Sequence, residues 1–442
     1  MPELVYRVLG LLCVVVESVP RGTNLGLVGL LWMLVSGRLL ESRGAVIPGL
    51  SAAGLPRGAV RRAWGALGQG RWRTSALLQS WQGVIAQEGQ WQARTVAGYR
   101  VVAGDLSGFW RPRLRSCPTT HFDGRAGKAL PAIPLGIVAR IGRVGAQRLG
   151  VPLALVRAPA AGTERQEAAV VRAAWAACEP LDVLVLDAGF TLREVQEAGV
   201  TRYVLRQAKN VTARRAQPPA RREGRGRPAT RGALVRPLAR TYQGRGLPAT
   251  PPDWVETWSE GDGLLRAEGW ENLVRADAPA GAPTFRLVVL RHPRWREPWV
   301  LATPLPVSAA VLRALYLERW PIEQLPLAAK QMLGADHQWV SAPETCQRLP
   351  ELALLAGAIL TYVAATHPAL PTGFWDRQPQ ATVGRVRRQL AHALFPTEFP
   401  FPAHIRQKAA VTAHLPKGAW GQRQRPTGPA DPSAAQTSTP AA

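Results

Sequence analysis

Two unbroken apolar runs open the chain, Val8 to Val16 and Leu25 to Val35. Runs that are apolar on every side belong inside a protein, and both are shorter than the ~20 residues a membrane span needs. Glu3 spoils a basic leader, and Glu17 and Arg21 follow the first run without a small-x-small cleavage pattern. Residues 1–95 are therefore expected to form a helical region with both runs buried. From Gly98 the pattern shortens. Tyr99 to Asp105 reads as a strand ending in a carboxylate, and Gly136–Val144 and Val151–Arg157 read as two more. Thr163–Cys178 is Ala-rich, with Glu164 and Glu167 in its first turns, where a helix dipole favours acids. Asp182–Asp187 is an apolar strand that also ends in a carboxylate, Leu192–Ala198 a short helix and Arg202–Arg206 a further strand. Three strands, helix, strand, helix, strand predict an α/β fold on a mixed sheet.

The pattern breaks at residues 211–283, where arginines crowd between Asn210 and Gly246 and Glu223 is the only acid of that stretch. Pro218, Pro219, Pro228 and Pro237 exclude a long helix there, so the segment reads as a basic, partly β insertion. Strand character returns at Thr284–Leu290 and Trp299–Thr303, then helical texture at Ser308–Gly334, Cys346–Thr366 and Thr382–Leu394. The resulting division is a helical region at 1–95, an α/β domain at 96–210 and 284–345 interrupted by 211–283, a C-terminal helical region at 346–415 and a disordered Pro/Ala/Ser/Thr tail at 416–442.

Charge narrows the partner. The 442 residues carry 55 Lys+Arg against 30 Asp+Glu, a formal net charge of +25. Arg, Ala, Gly and Pro are enriched together, so genome composition accounts for part of the excess, but the field remains and suits a polyanion, nucleic acid or an acidic membrane. A hydrophobic content of 46% supports a sizeable core. Four scattered cysteines with no CxxC exclude a zinc knuckle or disulfide scaffold and fit a reducing cytosol. Arg57, Arg61, Arg62, Arg71 and Arg73 mix with Trp64, Trp72 and Trp81 in the helical region, a texture that suits docking on DNA. A solvated face over core tryptophans is the plainer reading of the same residues.

Candidate chemistry lies in three places. A carboxylate at a strand's C-terminal end sits at a sheet edge, where active sites collect. Asp105 and Asp187 both qualify, although a lone acid there is more often a turn residue or cap. Asp123 and Asp182 are rivals: Asp123 follows no apolar strand, and Asp182 stands at the start of its strand. The third place is Tyr316-Leu-Glu-Arg319-Trp-Pro-Ile-Glu323-Gln-Leu-Pro-Leu-Ala-Ala-Lys330. On an ideal helix Tyr316, Arg319, Glu323 and Lys330 fall at about 0°, 300°, 340° and 320°, one face, while Pro321 and Pro326 predict a kink or restart near Trp320. An exposed face with an i,i+4 Arg319–Glu323 pair is the plain alternative.

Tyr-x2-Arg-x3-Glu-x6-Lys resembles the signature of bacterial insertion-sequence transposases with a DDE active site, a pattern expected by chance about once in three thousand chains of this composition. Arg319–Glu323 and Ala329-Lys330-Gln331-Met332-Leu333-Gly334 are similar to the wording around that signature. Leu-Asp187-Ala-Gly-Phe resembles the second acidic motif, and Gly-Asp105-Leu-Ser-Gly-Phe-Trp, less specifically, the first. The spacings are 82 and 136 residues, and the longer gap is where the family carries an insertion in its RNase H-like fold. The resemblance covers roughly 95 to 345. It implies Asp105, Asp187 and Glu323 as catalytic residues holding two divalent ions, Mg²⁺ with Mn²⁺ as substitute, and Tyr316, Arg319 and Lys330 as phosphate contacts. Carboxylate oxygens suit those ions, and two ions can serve an in-line displacement at phosphorus. Arg57, Arg61, Arg62, Arg71, Arg73, Arg214, Arg215, Arg221 and Arg222 become candidate DNA contacts. The implied activity is cut-and-paste DNA transposition: cleavage of double-stranded DNA at terminal inverted repeats and strand transfer into target DNA by a homodimer, in a bacterial cytoplasm and with no membrane. A catalytically inactive relative that only binds DNA, and a membrane-surface protein, are the competing readings.

Overall fold

In a computed structural model, the structure describes residues 2–115, 117–160, 162–218, 231–261, 263–279, 281–396 and 398–405. Helices α1 (Pro2–Val15), α2 (Thr23–Val35), α3 (Arg38–Glu41), α4 (Val46–Ala52), α5 (Arg57–Gln69) and α6 (Thr74–Glu88) come first. The second apolar run is α2, buried on all sides from Gly26 to Val35. It crosses α5 so closely at Gly26 that a Cβ there would stand 2.8 Å from both the Arg62 carbonyl oxygen and Ala66 Cβ. The first run lies in α1, where Tyr6 and Val14 remain exposed.

Next come the short strands β1 (Gln92–Ala93) and β2 (Thr95–Val96), then β3 (Tyr99–Trp110), β4 (Thr120–Asp123), β5 (Lys128–Val144), β6 (Gln147–Arg157), α7 (Gln166–Ala176), β7 (Asp182–Leu186), α8 (Leu192–Glu197) and β8 (Tyr203–Gln207). The expected order of elements is thus present. Antiparallel ladders join β6 to β5 and β5 to β3, and β7 and β8 follow in parallel, giving the order β6-β5-β3-β7-β8. Thr191 and Glu194 close a capping box that starts α8 just after the β7 turn.

The segment expected as an insertion is continuous with this sheet. It supplies β9 (Ala213–Arg215), β10 (Leu234–Val235), the separate hairpin β11 (Arg240–Tyr242) and β12 (Arg245–Leu247), β13 (Trp254–Glu260) and β14 (Gly263–Arg275), followed by β15 (Phe285–Arg291) and β16 (Trp299–Thr303). β16 pairs antiparallel with β8, and the order runs on through β15, β14, β9 and β10 to a 14-stranded sheet. Arg221 and Arg222 lie outside the described residues, as does the tail from 416 and the end of the expected C-terminal region.

Alternation along the strands divides two cores. Val102, Leu184, Leu186 and Leu205 pack under α7 and α8 with Val170, Val171 and Val195. Val101, Ala103, Val183, Val185 and Val204 face the other way, into a core shared with the N-terminal helices and with α9 (Ala309–Leu317) and α11 (Pro343–Thr366). The terminal helical regions are therefore one layer rather than two: the Arg348 guanidinium of α11 donates to the Leu67 and Gly70 carbonyls, and Arg7 of α1 to Thr366. α11 is long and apolar enough to cross a membrane, but 89% of its apolar window is buried inside the protein, the environment of a core helix. α12 (Val383–Ala391) packs on α11.

The helix expected over Ser308–Gly334 is broken into pieces. α9 ends before Glu318, a 3₁₀ turn spans Trp320–Glu323, α10 (Gln324–Leu327) follows, and a π turn runs Ala328–Met332. Pro321 and Pro326 each lack an amide donor, so the regular ladder cannot pass them.

Candidate active site

Gly104 of β3 pairs with Leu186 of β7, so the next residues of the two parallel strands are Asp105 and Asp187. Asp105 was expected at the end of its strand. β3 in fact runs on to Trp110, held by β5 alone on that side, and what ends beside Asp105 is its neighbour β7. The carboxylates thus flank the edge of the parallel part of the sheet. Alternation places both on the face of Ala103 and Val185, under the layer that carries the Tyr316–Lys330 segment.

Charge coupling shows the convergence. Burial, then the charge of Asp187, pushes Asp105 up to about 7; Arg319 and the Leu106 amide pull it back, and Glu323 pushes it up again. Residues from β3, the β7 turn and a 3₁₀ turn therefore act on one another across 218 positions of sequence. Asp187 is half-buried and its Oδ1 accepts from the Gly189 amide at 2.9 Å, an Asx turn that fixes the side chain.

Arg319 sits among the acids and is only 6% exposed. Its Nη2 donates to Glu323 Oε1 at 2.6 Å, the pair expected on a plain helix face, while its buried Nε and Nη1 have no partner among the described residues. Desolvation lowers its pKa, but Tyr316, Asp187, Glu323 and Asp105 outweigh it and raise it overall. Tyr316 was expected to face a phosphate. Its side chain is instead buried, edge-on to Trp299 at 5.3 Å and beneath the Arg319 guanidinium at 5.9 Å. Lys330, in the π turn, holds its ammonium 5.2 Å from the Phe109 ring centroid. Burial lowers its pKa, opposed by Asp336 and Asp105.

The rival acids have other partners. Asp182 is fully buried and bonded to Arg100 at 2.8 Å and Arg140 at 2.7 Å, at the far end of β7. Asp123 caps the amides of Arg125 and Ala126 at 2.8 Å in the β4–β5 hairpin. Among the basic candidates, Arg57, Arg61, Arg71 and Arg73 are exposed, and Arg62 is half-buried with its pKa lowered by desolvation. Trp64 is the outward tryptophan of its set, Trp72 and Trp81 being core. Arg214 and Arg215 are strand residues already engaged: Arg214 donates to the Gly232 carbonyl and Arg215 makes a bidentate pair with Asp253 at 2.6 Å. Three residues of the site had not been anticipated, Phe109, Asp336 and His121, the last pushed below its ordinary pKa by burial and by Lys330. Phe109 could have been found, lying four residues after Asp105 on the same strand face; Asp336 and His121 carry no local signal.

The donors present are hard carboxylate oxygens, the chemistry Mg²⁺ and Mn²⁺ prefer, and the upward push on Asp105 marks a place where a cation would be favoured. Among the described residues, however, no group of three His, Cys, Asp or Glu side chains closes on one point, and one Glu323 oxygen is spent on Arg319. No family model matches the sequence, and no curated protein matches it either.

Proposed function

We propose that this chain is a DDE transposase that cuts DNA at transposon ends and joins the freed ends to a target. The observation that carries the reading is the placement of Asp105 and Asp187 on adjacent parallel strands, with the Arg319–Glu323 pair near enough to act on the Asp105 charge, all from the residues that the signature resemblance selects. The mixed sheet flanked by helices agrees with the α/β class that the resemblance implies. In this reading Asp105, Asp187 and Glu323 would hold divalent ions, which when bound supply an activated hydroxyl and a stabilised leaving oxygen.

The remaining work falls to the chain itself. Arg319, oriented by its Glu323 bond, would supply positive charge toward a scissile phosphate. Tyr316 braces the guanidinium from below, and Lys330 contributes a point charge beside Phe109. Arg57, Arg61, Arg71 and Arg73 offer phosphate contacts without chemistry, which gives salt-sensitive affinity. Two ends must be held together, so a homodimer on DNA is part of the proposal, as is a bacterial cytoplasmic location.

The test is incubation of the purified chain with Mg²⁺ and DNA from the flanks of its own reading frame, which should be nicked at inverted repeats and joined to a target. A second reading, a DNA-binding relative without catalysis, draws on the Arg319–Glu323 pair, which occupies one of the carboxylates. Salt-sensitive duplex binding with no metal-dependent cleavage would select it.

A further inference from the structure

Beside the acidic site lies a cavity of about 800 Å³ between the end of α3, the far end of β3 and the loop that follows the π turn. Arg43, Trp110, Arg113, Asp336 and Trp339 line it. Trp110 follows Phe109, the ring under Lys330, and Asp336 acts on the same ammonium, so the cavity adjoins the site through Asp336 without including Asp105, Asp187 or Glu323.

Its aromatic wall is built to stay open. Trp339 is 61% exposed, yet its indole N–H donates to the Arg43 carbonyl at 2.9 Å and its amide to the Gly44 carbonyl at 3.2 Å. The ring is thus fixed in orientation with a face left to solvent. Arg113 stands over it, guanidinium carbon 5.6 Å from the ring centroid. Both Arg43 and Arg113 are exposed. A ligand that satisfies this set has a flat π face and a negative charge for the arginines. Single-stranded DNA meets both requirements: its bases stack on aromatic rings whatever the sequence, and its phosphates suit a basic rim.

We propose that this cavity takes an unpaired base of single-stranded DNA, stacked on Trp339 and bounded by Arg43 and Arg113, as a binding site separate from the acidic centre. The proposal rests on the transposase reading only for the choice of DNA as the polyanion. The arginines would hold the phosphates on either side.

The experiment is a titration of the full chain into a single-stranded oligonucleotide carrying one 2-aminopurine, in chelator so that no cleavage occurs. Stacking on Trp339 should quench the probe. Trp339→Ala should weaken binding between about 5-fold and about 150-fold, the range for loss of one stacked base, and Trp339→Phe should recover most of it. Arg113→Ala, which leaves the ring in place, should weaken it as well. Absence of quenching with the wild-type chain, or equal affinity for Trp339→Ala, overturns the proposal. Quenching by a chain that does not cleave duplex ends with Mg²⁺ keeps this site and removes the transposase reading; cleavage without quenching does the reverse.

Discussion

Asp105→Asn should stabilise the protein, and by an amount that depends on pH. The native carboxyl is pushed from an ordinary 3.8 up to about 7 by burial first and by Asp187 second. A group raised in this way binds its proton more tightly when folded. Its favourable contribution is complete below pH ~4 and is lost as pH rises through about 7, because the folded protein must then carry an unwelcome charge. A shift of roughly three units corresponds to about 4 kcal/mol at full ionisation, and about 2–3 kcal/mol once Asn replaces the neutral carboxyl imperfectly. Asn can still accept from the Leu106 amide that Asp105 uses. The assay is urea denaturation of both proteins in chelator at pH 4, 5.5, 7 and 8.5. The two curves should nearly coincide at pH 4 and separate with rising pH, reaching a constant gap above about 8. Adding Mg²⁺ should narrow the gap, since a bound cation would compensate the wild-type charge but has less to hold it in the variant. A gap that is flat with pH, or a variant less stable at pH 8.5, refutes the argument.

Other substitutions probe separate parts. Arg319→Lys keeps a charge among the acids but loses the planar fork, so DNA binding should change little while any cleavage falls at least tenfold, measured by gel shift and by nicking on the same DNA. Gly334→Ala should destabilise by about 2 kcal/mol or more and lower the melting temperature, because φ is +81° and a Cβ would stand 2.5 Å from Leu40 Cα; an unchanged melt would mean that the loop gives way freely. Arg157→Ala leaves Glu344 with Arg348 and the buried Glu351 with only Thr74, and should cost about 2 kcal/mol in denaturant, less if Glu351→Gln is made with it.

Much of the α/β core could be read from the chain because its signals are local. Apolar runs of strand length alternate with an Ala-rich helix between Tyr99 and Gln207, and β5 with β6 and β7 with β8 pair as neighbours along the chain. The second half could not be placed this way. Whether β9 to β14 form a body of their own or extend the sheet depends on β16 docking antiparallel on β8, a pairing between residues nearly a hundred positions apart. The signature residues were chosen by type and spacing, and the break expected from Pro321 and Pro326 near Trp320 is present as a 3₁₀ turn. The real path changes from α to 3₁₀, back to α and then to π after Leu317, while Tyr316, still in the regular α9, faces inward against Trp299. Asp123 and Asp182 looked like alternatives only while their partners were unknown. Arg100 and Arg140 flank Asp182 from neighbouring strands, which no spacing along the chain reveals.

In the proposed function Asp105, Asp187 and Glu323 form one catalytic centre acting on DNA. Cleavage of DNA carrying the element's own ends, with Mg²⁺ and without it, by the wild-type chain and by Asp187→Asn and Glu323→Gln puts this to the test. Metal-dependent nicking by the wild type is expected, with a loss of at least about a thousandfold in each variant and duplex binding retained. Cleavage that survives in either variant, or a wild-type chain that binds such ends but never cuts them, contradicts it.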